Sequence, residues 1–594
     1  MKVLREHGAI VLVLILFVAL GIVYSTTTPL FEAPDEQWHF AFVQHVATGR
    51  GLPVQTLGTP AHLARQEASQ PPLYYLLAAA ATFWIDTSDF PDIVWENPHY
   101  GYNVPGIVND NKNLFIHTAL ENFPWRGAAL AVHIARFVSL LTSVLAVICT
   151  YLLARQVLND KMLAASAAAM SGFVPQFLFV GSAVSNDSTI VAMTALALWL
   201  LARQLSGDRR PITETIVLGI VCGLAAIAKV SGLGLFVLAA IVLAYESWRR
   251  RDHSRTFFSS FALFTLSFGL VAGWWYLRNL ILYGELTGTA MMNRIFHMRE
   301  TPLAWSELLV QLREVWETFW IGFGWGNIRA HPLMYTFFEI LVLFGAVGVV
   351  IGIVRHPDAS RRRILAMLGT WMIVMFAAMI YWLQSTQAPH GRLLFPILPA
   401  FGVMLVWGLA QFFVSRPLVV SVIASLFFCI AAIAPITTLA PAYAFPASLS
   451  ETEMTSIPNR VDIAYDDQIK LLGYDVSTRR VSPGDAIELT LYWQSLAPMN
   501  EDYSIGIRVL DAQQRLVGAR NSYPGRGMLP TRLWFTGQII RDAYWLPINA
   551  DAPSSAAQLE IVMFERVSKR DLVARDPRGE IITPFIGQIE VGSK

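Results

Sequence analysis

The feature that most constrains this chain is a series of long apolar runs. The first is Ala9 to Tyr24, and others lie at about 128–154, 162–183, 188–205, 212–230, 232–248, 256–281, 333–354, 364–384, 391–413 and 417–439. Most approach the ~20 residues that a helix needs to cross a hydrocarbon core. Backbone groups have no water to bond inside lipid, so such runs must be helical. About eleven spans are predicted. A content of 54% hydrophobic and 15% charged residues excludes an ordinary soluble globular protein, and a net charge of +1 gives no pull towards nucleic acid. Cys149, Cys222 and Cys429 all fall inside apolar runs, which argues against a disulfide framework or a cysteine metal cluster. Lys2 and Arg5 precede the first run as they would in a signal peptide. No convincing cleavage site follows, so that run is expected to stay as an anchor.

The apolar piece Pro72 to Ile85 is too short to span and reads as a helix lying in the interface. Basic residues support that reading, because they gather in cytoplasmic loops. Lys2 and Arg5, Arg155 and Lys161, Arg203, Arg209 and Arg210, Arg249 to Arg251 with Arg255, and Arg355, Arg361 to Arg363 and Arg416 occupy alternate connections. They share one side if the N-terminus is inside and 72–85 does not cross. The other side then holds the loop around Phe31 to Phe40, the turn Ser185 to Asp187, the region 283–332, the turn 384–392 and everything after Leu439. This predicts a multi-pass protein of a prokaryotic cytoplasmic membrane with its C-terminal part outside.

From about Thr455 the composition becomes that of a water-soluble domain. Ile487, Leu489, Leu491 and Trp493 alternate with polar residues, as do Ile505, Ile507 and Val509, the period of half-buried strands. Pro483-Gly484-Asp485, Asp511-Ala512-Gln513 and Pro524-Gly525 supply turns. The fold class expected is therefore a polytopic α-helical membrane domain over 1–440, with a first outer loop at about 25–127, and an extracytoplasmic β-sandwich over 455–594. Trp493, Trp534, Tyr544 and Trp545 are candidates either for a sugar platform or for the sandwich core.

Several charged residues fall at the outer ends of spans. FEAPDEQWHF, residues 31–40, places Asp35, Glu36 and His39 beside the membrane surface. Acids there serve either chemistry or the capping of an interfacial helix. Asp187, in VSNDST, allows the same two readings. Arg136 lies within the outer part of a span, where a charge needs a partner. Lys229 and Arg278 either snorkel or join a site. His390-Gly391-Arg392 opens a late span, and a guanidinium at a helix N-terminus calls for a fixed anion. Lys229, Arg278 and Arg392 together suit a lipid phosphate opposite the acids.

Pro34-Asp35-Glu36 with His39, Ser69-Gln70-Pro71-Pro72-Leu73-Tyr74-Tyr75, Ala135-Arg136, Asn186-Asp187 and Gly391-Arg392 with Pro396 resemble, in order and sidedness, the GT-C membrane glycosyltransferases. The likeness is to those of the protein O-mannosyltransferase and lipid A aminoarabinose transferase kind, and it covers about residues 1–440. The resemblance implies hexosyl or pentosyl transfer from a polyprenyl-phosphate-linked sugar donor to a glycan, lipid or protein acceptor, at the bilayer and without nucleic acid. It makes Asp35 the general base, with Glu36 or Asp187 positioning it. Arg136, Arg278 and Arg392 would stabilise the leaving phosphate, and His39, Lys229 and His390 would help to bind substrate. A divalent metal on Asp35, Glu36 and Asp187 is possible but not favoured, so no cofactor is expected. The long loop from Asp86 to Trp125 and the β-domain depart from the simplest members. A transporter or flippase of lipid-linked sugars is the alternative, and it calls for charges in mid-span and paired broken helices. A non-catalytic receptor is a third reading that leaves the one-sided acids unexplained.

Overall fold

Ala9 to Tyr24 forms most of α1 (Lys2–Thr27) in the computed structural model of the protein. The structure describes residues 2–56, 63–101, 107, 110–206, 212–251, 254–296, 298–450 and 452–592. Arg209 and Arg210 lie outside the described residues, as do the side chains of Lys2 and Arg5. Two short helices follow, α2 (Glu36–Ala47) and α3 (Leu73–Thr82), and then α4 (Gly127–Val157), α5 (Lys161–Gly172), α6 (Pro175–Gly181), α7 (Asp187–Leu205) and α8 (Ile212–Ala228). The helical chain continues through α9 (Leu233–Arg250), α10 (Ser254–Tyr283), α11 (Thr289–Phe296) and α12 (Trp305–Trp320). A small hairpin, β1 (Gly322–Phe323) and β2 (Ile328–Arg329), precedes α13 (Pro332–Arg355), α14 (Ala359–Ser385), α15 (Leu398–Leu409) and α16 (Arg416–Ala434).

Each expected apolar run is thus helical. Among the described residues, nine helices are long and apolar enough to cross a membrane, or ten if the bent pair α5 and α6 counts as one. The run expected at 162–183 is broken by 66°, because Pro175 at the start of α6 has no amide to continue the ladder and disfavours helix at Val174 before it. α8, with 17 residues, falls just short of a usual span. α3 has 10 residues and leaves Leu76 and Leu77 exposed beside Phe83 and Trp84, as an interfacial helix would. α10 exposes Phe258, Leu266, Leu270 and Ile281, a face suited to lipid and costly in water.

Close crossings depend on absent side chains. A Cβ on Gly348 would meet the Gly408 carbonyl oxygen at 2.1 Å, and one on Gly408 would meet that of Gly345 at 2.0 Å. α13 and α15 therefore approach backbone to backbone, as small residues allow in membrane bundles.

The chain forms two compact units. Residues 1–90 and 123–437 make the helical unit, and residues 91–122 and 438–594 make the other. The second is a two-sheet sandwich of β3 (Ala447–Ser448), β4 (Asn459–Tyr465), β5 (Ile469–Val476), β6 (Arg480–Val481), β7 (Ala486–Ser495), β8 (Tyr503–Asp511), β9 (Leu516–Ser522), β10 (Ile539–Pro547), β11 (Ser555–Glu565), β12 (Ala574–Arg575) and β13 (Phe585–Val591). One sheet runs β12-β4-β5-β7-β10-β3 and the other β6-β13-β11-β8-β9, with β6 parallel to β13. The predicted alternations fall on β7 and β8. Leu489, Leu491 and Trp493 from one sheet share a core with Ile505, Ile507 and Val509 from the other. Trp493, Trp534 and Tyr544 are buried in that core, which removes them as a sugar platform, while Trp545 is half-buried. The sequence reading grouped all of 25–127 with the membrane domain, whereas residues 91–122 pack onto the sandwich. Asp110 pairs with Arg520, both nearly inaccessible, and Asn113 Nδ2 donates to the Gly527 carbonyl at 3.0 Å.

His99 belongs to that insertion, its Nε2 2.7 Å from Ser504 Oγ. Burial, with Arg566 adding, lowers its pKa from 6.5 to about 4. The fold therefore favours the neutral imidazole, a contribution present above pH 6.5 and lost as pH falls towards 4, worth roughly 3 kcal/mol. Melting of the full chain in detergent should drop between pH 7 and pH 5, and His99→Gln should flatten that drop. An unchanged slope would assign the pH dependence elsewhere.

Candidate active site

The adjacent acids Asp35 and Glu36 have opposite environments. Glu36 is 0% exposed and takes a bidentate pair from Arg136, Nε to Oε1 and Nη2 to Oε2, both at 2.7 Å. It also accepts the amides of Phe31 at 3.0 Å and Val184 at 2.8 Å. Arg136 gives its remaining Nη protons to the carbonyls of Ser25, Thr28 and Pro29. Every polar atom of the pair is engaged, as a buried pair requires. Of the partners open to Arg136, the structure gives it a carboxylate, and Glu36 touches Asp35's surroundings only by fixing the start of α2, since neither side chain has a free hydrogen-bonding atom.

Asp35 sits at the start of α2 with φ 64° and makes no capping hydrogen bond. That left-handed backbone is disfavoured for a residue with a Cβ, and it leaves the side chain to bond elsewhere. Oδ2 pairs with Arg392 Nη2. Arg392 also reaches Asp187 Oδ2 at 3.3 Å and the Pro34 carbonyl at 3.3 Å, and Lys229 Nζ pairs with Asp187 Oδ1. The capping reading fails for Asp187 as well, because its carboxylate is spent on Lys229 and Arg392, with Ser185 Oγ donating at 3.2 Å. The anion that Arg392 was expected to need is thus supplied within the chain. Acids and bases interleave in one network instead of facing each other across a pocket.

Gly391 makes this possible. A Cβ there would lie 2.2 Å from the Phe319 amide nitrogen and 2.5 Å from the Val315 carbonyl oxygen, so only glycine lets the loop press against α12. Its amide donates to Thr318 Oγ1 at 2.8 Å. His390 accepts the Arg392 amide on Nδ1 at 3.3 Å, and burial with the Arg392 charge holds its pKa well below the usual histidine value. His390 Nε2 and Arg392 Nε are buried without a hydrogen-bond partner.

His39, one turn along α2 from Asp35, has Nδ1 2.7 Å from the Tyr75 hydroxyl and 3.4 Å from Glu67 Oε2. Glu67 was missed in the sequence. Its signal was an acid in RQEAS, just before the Ser69-Gln70-Pro71-Pro72 stretch that carried the resemblance. Burial, then the Asp35 charge, push its carboxyl up to about 8 against the pull of Arg392 and Lys229, while burial and Arg392 lower His39 to about 3. Among the described residues, Asp35, His39 and Glu67 bring a ring nitrogen and two carboxylate oxygens within 4.8 Å of one another. The fourth expected base, Arg278, is not joined to this network by any ion pair. It donates to the Pro53 carbonyl at 2.8 Å, lies over the Trp275 ring at 4.9 Å, and lines an apolar groove of about 540 Å³ with Leu52, Val54, Ile281 and Leu282.

α7 relates the network to the basic loops. It starts at Asp187 and ends at Leu205, whose carbonyl accepts from Arg363 at 2.9 Å, while Arg250 reaches the Gln204 carbonyl at 3.3 Å. Its 19 residues at ~1.5 Å each cover the thickness of a hydrocarbon core. The acids and the basic cluster therefore occupy opposite ends of one span.

Residues 131–277, which include Arg136, Asp187 and Lys229, match the family described as dolichyl-phosphate-mannose-protein mannosyltransferase. Crystal structures of ArnT from Cupriavidus metallidurans, in the apo state and bound to undecaprenyl phosphate, are both 14% identical, with TM-scores of 0.40 and 0.41. They cover 71% and 72% of this chain and 64% and 65% of those chains, so the match spans just under two thirds of ArnT. The C-terminal domain of wzt, 13% identical with a TM-score of 0.19, covers 25% of this chain and 87% of that one. No curated protein matches the chain.

In the helical unit the Glu36 and Arg136 pair should behave as structure. Glu36→Gln or Arg136→Met strands a buried charge and should each cost about 3–5 kcal/mol, seen as a large fall in melting temperature. The double variant should lose clearly less than the sum. Additive losses would mean that the pair does not act as a unit.

Proposed function

We propose that the chain is a glycosyltransferase that moves a sugar from a polyprenyl-phosphate carrier to an acceptor on the outer face of a prokaryotic cytoplasmic membrane, with Asp35 as general base. The observation that carries this reading is the convergence of Asp35 and Asp187 with Lys229 and Arg392, at the end of α7 away from the basic loops. Of the two neighbouring acids, Asp35 keeps 11% of its side chain accessible while Glu36 keeps none. A base has to lie within hydrogen-bond reach of the proton it takes.

In the reaction the acceptor hydroxyl gives its proton to the Asp35 carboxylate as its oxygen bonds to the anomeric carbon. The bond from that carbon to the phosphate oxygen breaks, and its electron pair stays on the phosphate. Arg392 and Lys229 are placed to balance the charge that develops there. Attack opposite the phosphate inverts the anomeric centre. Asp187 holds both cations and so positions them. The Arg278 groove offers an apolar surface to a prenyl chain beside a guanidinium. The matched family's name, with its dolichyl-phosphate-linked mannose, supports a donor of this type. Transport is less well supported, since the ionic network sits at a span end and the described residues contain one bent helix pair instead of a matched two.

The test uses the full chain in nanodiscs with labelled polyprenyl-phosphate sugars. Asp35→Asn should lower transfer by about 10²–10⁴-fold without the stability loss of the Glu36 variants. Unchanged sugar release in a folded Asp35→Asn protein would remove Asp35 as the base.

A further inference from the structure

The small hairpin before α13 has no part in the transfer reading, yet it ends beside the ionic network. β1 and β2 pair Gly322 with Arg329 and Phe323 with Ile328, which leaves Gly324-Trp325-Gly326-Asn327 as the tip. Gly324 and Gly326 have φ of 59° and 81°, a backbone that a Cβ disfavours. The tip therefore displays one indole between two glycines. Its base is fixed, because the Gly322 amide donates to Gln176 Oε1 at 2.7 Å and Arg329 bonds to both the Gly326 carbonyl and Glu317. Two contacts place the tip. The Trp325 ring lies 5.5 Å from that of Trp38, whose amide donates to the Asp35 carbonyl at 3.0 Å, and a Cβ on Gly326 would lie 3.8 Å from His390 Nε2.

Trp38 meets Trp325 at 82°, and an edge-to-face contact covers at most one face of either ring. Trp325 is half-buried and keeps a face that Trp38 does not cover, with no other ring against it among the described residues. Three nitrogens here are buried without a hydrogen-bond partner: Trp325 Nε1, His390 Nε2 and, two residues on, Arg392 Nε. All three are donors. Indole and guanidinium nitrogens carry hydrogen and accept nothing. His390 Nδ1 accepts the Arg392 amide and burial keeps the ring neutral, so its proton sits on Nε2. Buried donors call for acceptors.

We propose that Trp325 stacks on the sugar ring of the donor and, with His390 and Arg392, selects sugars bearing hydroxyls over those bearing an amine. The C–H face of a pyranose suits the free face of the indole, and hydroxyl oxygens at its rim bring lone pairs to the three donors. A protonated amine has no lone pair to bring and adds positive charge beside Arg392. The ring is the donor's, because Arg392 is assigned the donor phosphate and the sugar is joined to that phosphate through one oxygen. The inference rests on the transfer reading for the carrier and deepens it by naming the class of sugar.

Binding without an acceptor tests it, since no transfer then occurs. The full chain in nanodiscs is titrated with short-chain polyprenyl phosphate, bare or carrying mannose, glucose or galactose, and with the same sugars whose hydroxyls are replaced in turn by amines. One or more of the neutral hexoses should bind roughly tenfold tighter than bare carrier, and an amine at one or more positions should abolish that gain. Trp325→Ala should remove most of the gain and leave bare-carrier affinity unchanged, whereas Trp325→Phe, which keeps a ring face, should retain part of it. No gain from any sugar, a gain indifferent to every amine, or equal weakening of bare and sugar-bearing carrier in Trp325→Ala would overturn the proposal. Transfer that depends on Asp35 without sugar-dependent binding would keep the transfer reading and remove the platform. The expected binding pattern in a protein that transfers nothing would do the reverse.

Discussion

The bidentate pair of Glu36 and Arg136 is the interaction on which the helical unit's outer end depends. Taking two charges out of water is costly, and only full satisfaction of their hydrogen-bonding atoms makes it tolerable. Here that satisfaction ties together α2, α4, the end of α1 and the turn before α7, through the carbonyls of Ser25, Thr28 and Pro29 and the amides of Phe31 and Val184. With the first turn of α2 fixed, Asp35 meets Arg392, which also bonds to Asp187. One acid of the Asp-Glu step is a clamp. The other keeps 11% of its side chain accessible and pairs with Arg392.

The second constraint is the separation of charge along the bundle. α7 carries the ionic network at its N-terminal end and meets the basic loops at the other, with an apolar stretch between. Arg249 and Arg250 share Glu246 at that second end, so even the basic cluster is partly neutralised where it borders the helices. Lipid permits this arrangement, because charges at the ends of a span keep access to water while those in the middle do not.

Much of the fold was legible because its signals are periodic. Apolar runs near 20 residues gave the spans, and alternation at 487–493 and 505–509 gave β7 and β8. What periodicity does not report is direction or partnership. Asp35 and Glu36 are equivalent on paper, and a φ of 64° together with Arg136, a hundred residues on, separates them. Glu67 lies outside the stretches whose spacing was informative, and it reaches His39 only once α2 and α3 are packed. Arg278 shares a side with Arg392, yet the loop at Leu52 and Pro53 takes its guanidinium. Chain order suggested that residues 91–122 belong with the membrane domain, and the buried Asp110–Arg520 pair places them in the sandwich. Trp493 and Tyr544 illustrate that strand aromatics fill cores before they face ligands.

The glycines of the bundle differ in how a lesion at each one can be repaired. At Gly21 an added methyl would strike the Leu140 side chain, so shortening Leu140 makes room and a second-site suppressor exists. At Gly348 and Gly408 the obstacle is a carbonyl oxygen of the opposing main chain, which no change of side chain can withdraw. Genetic rescue should therefore be obtainable for the α1 to α4 contact, whereas the α13 to α15 crossing has reversion as its only route back.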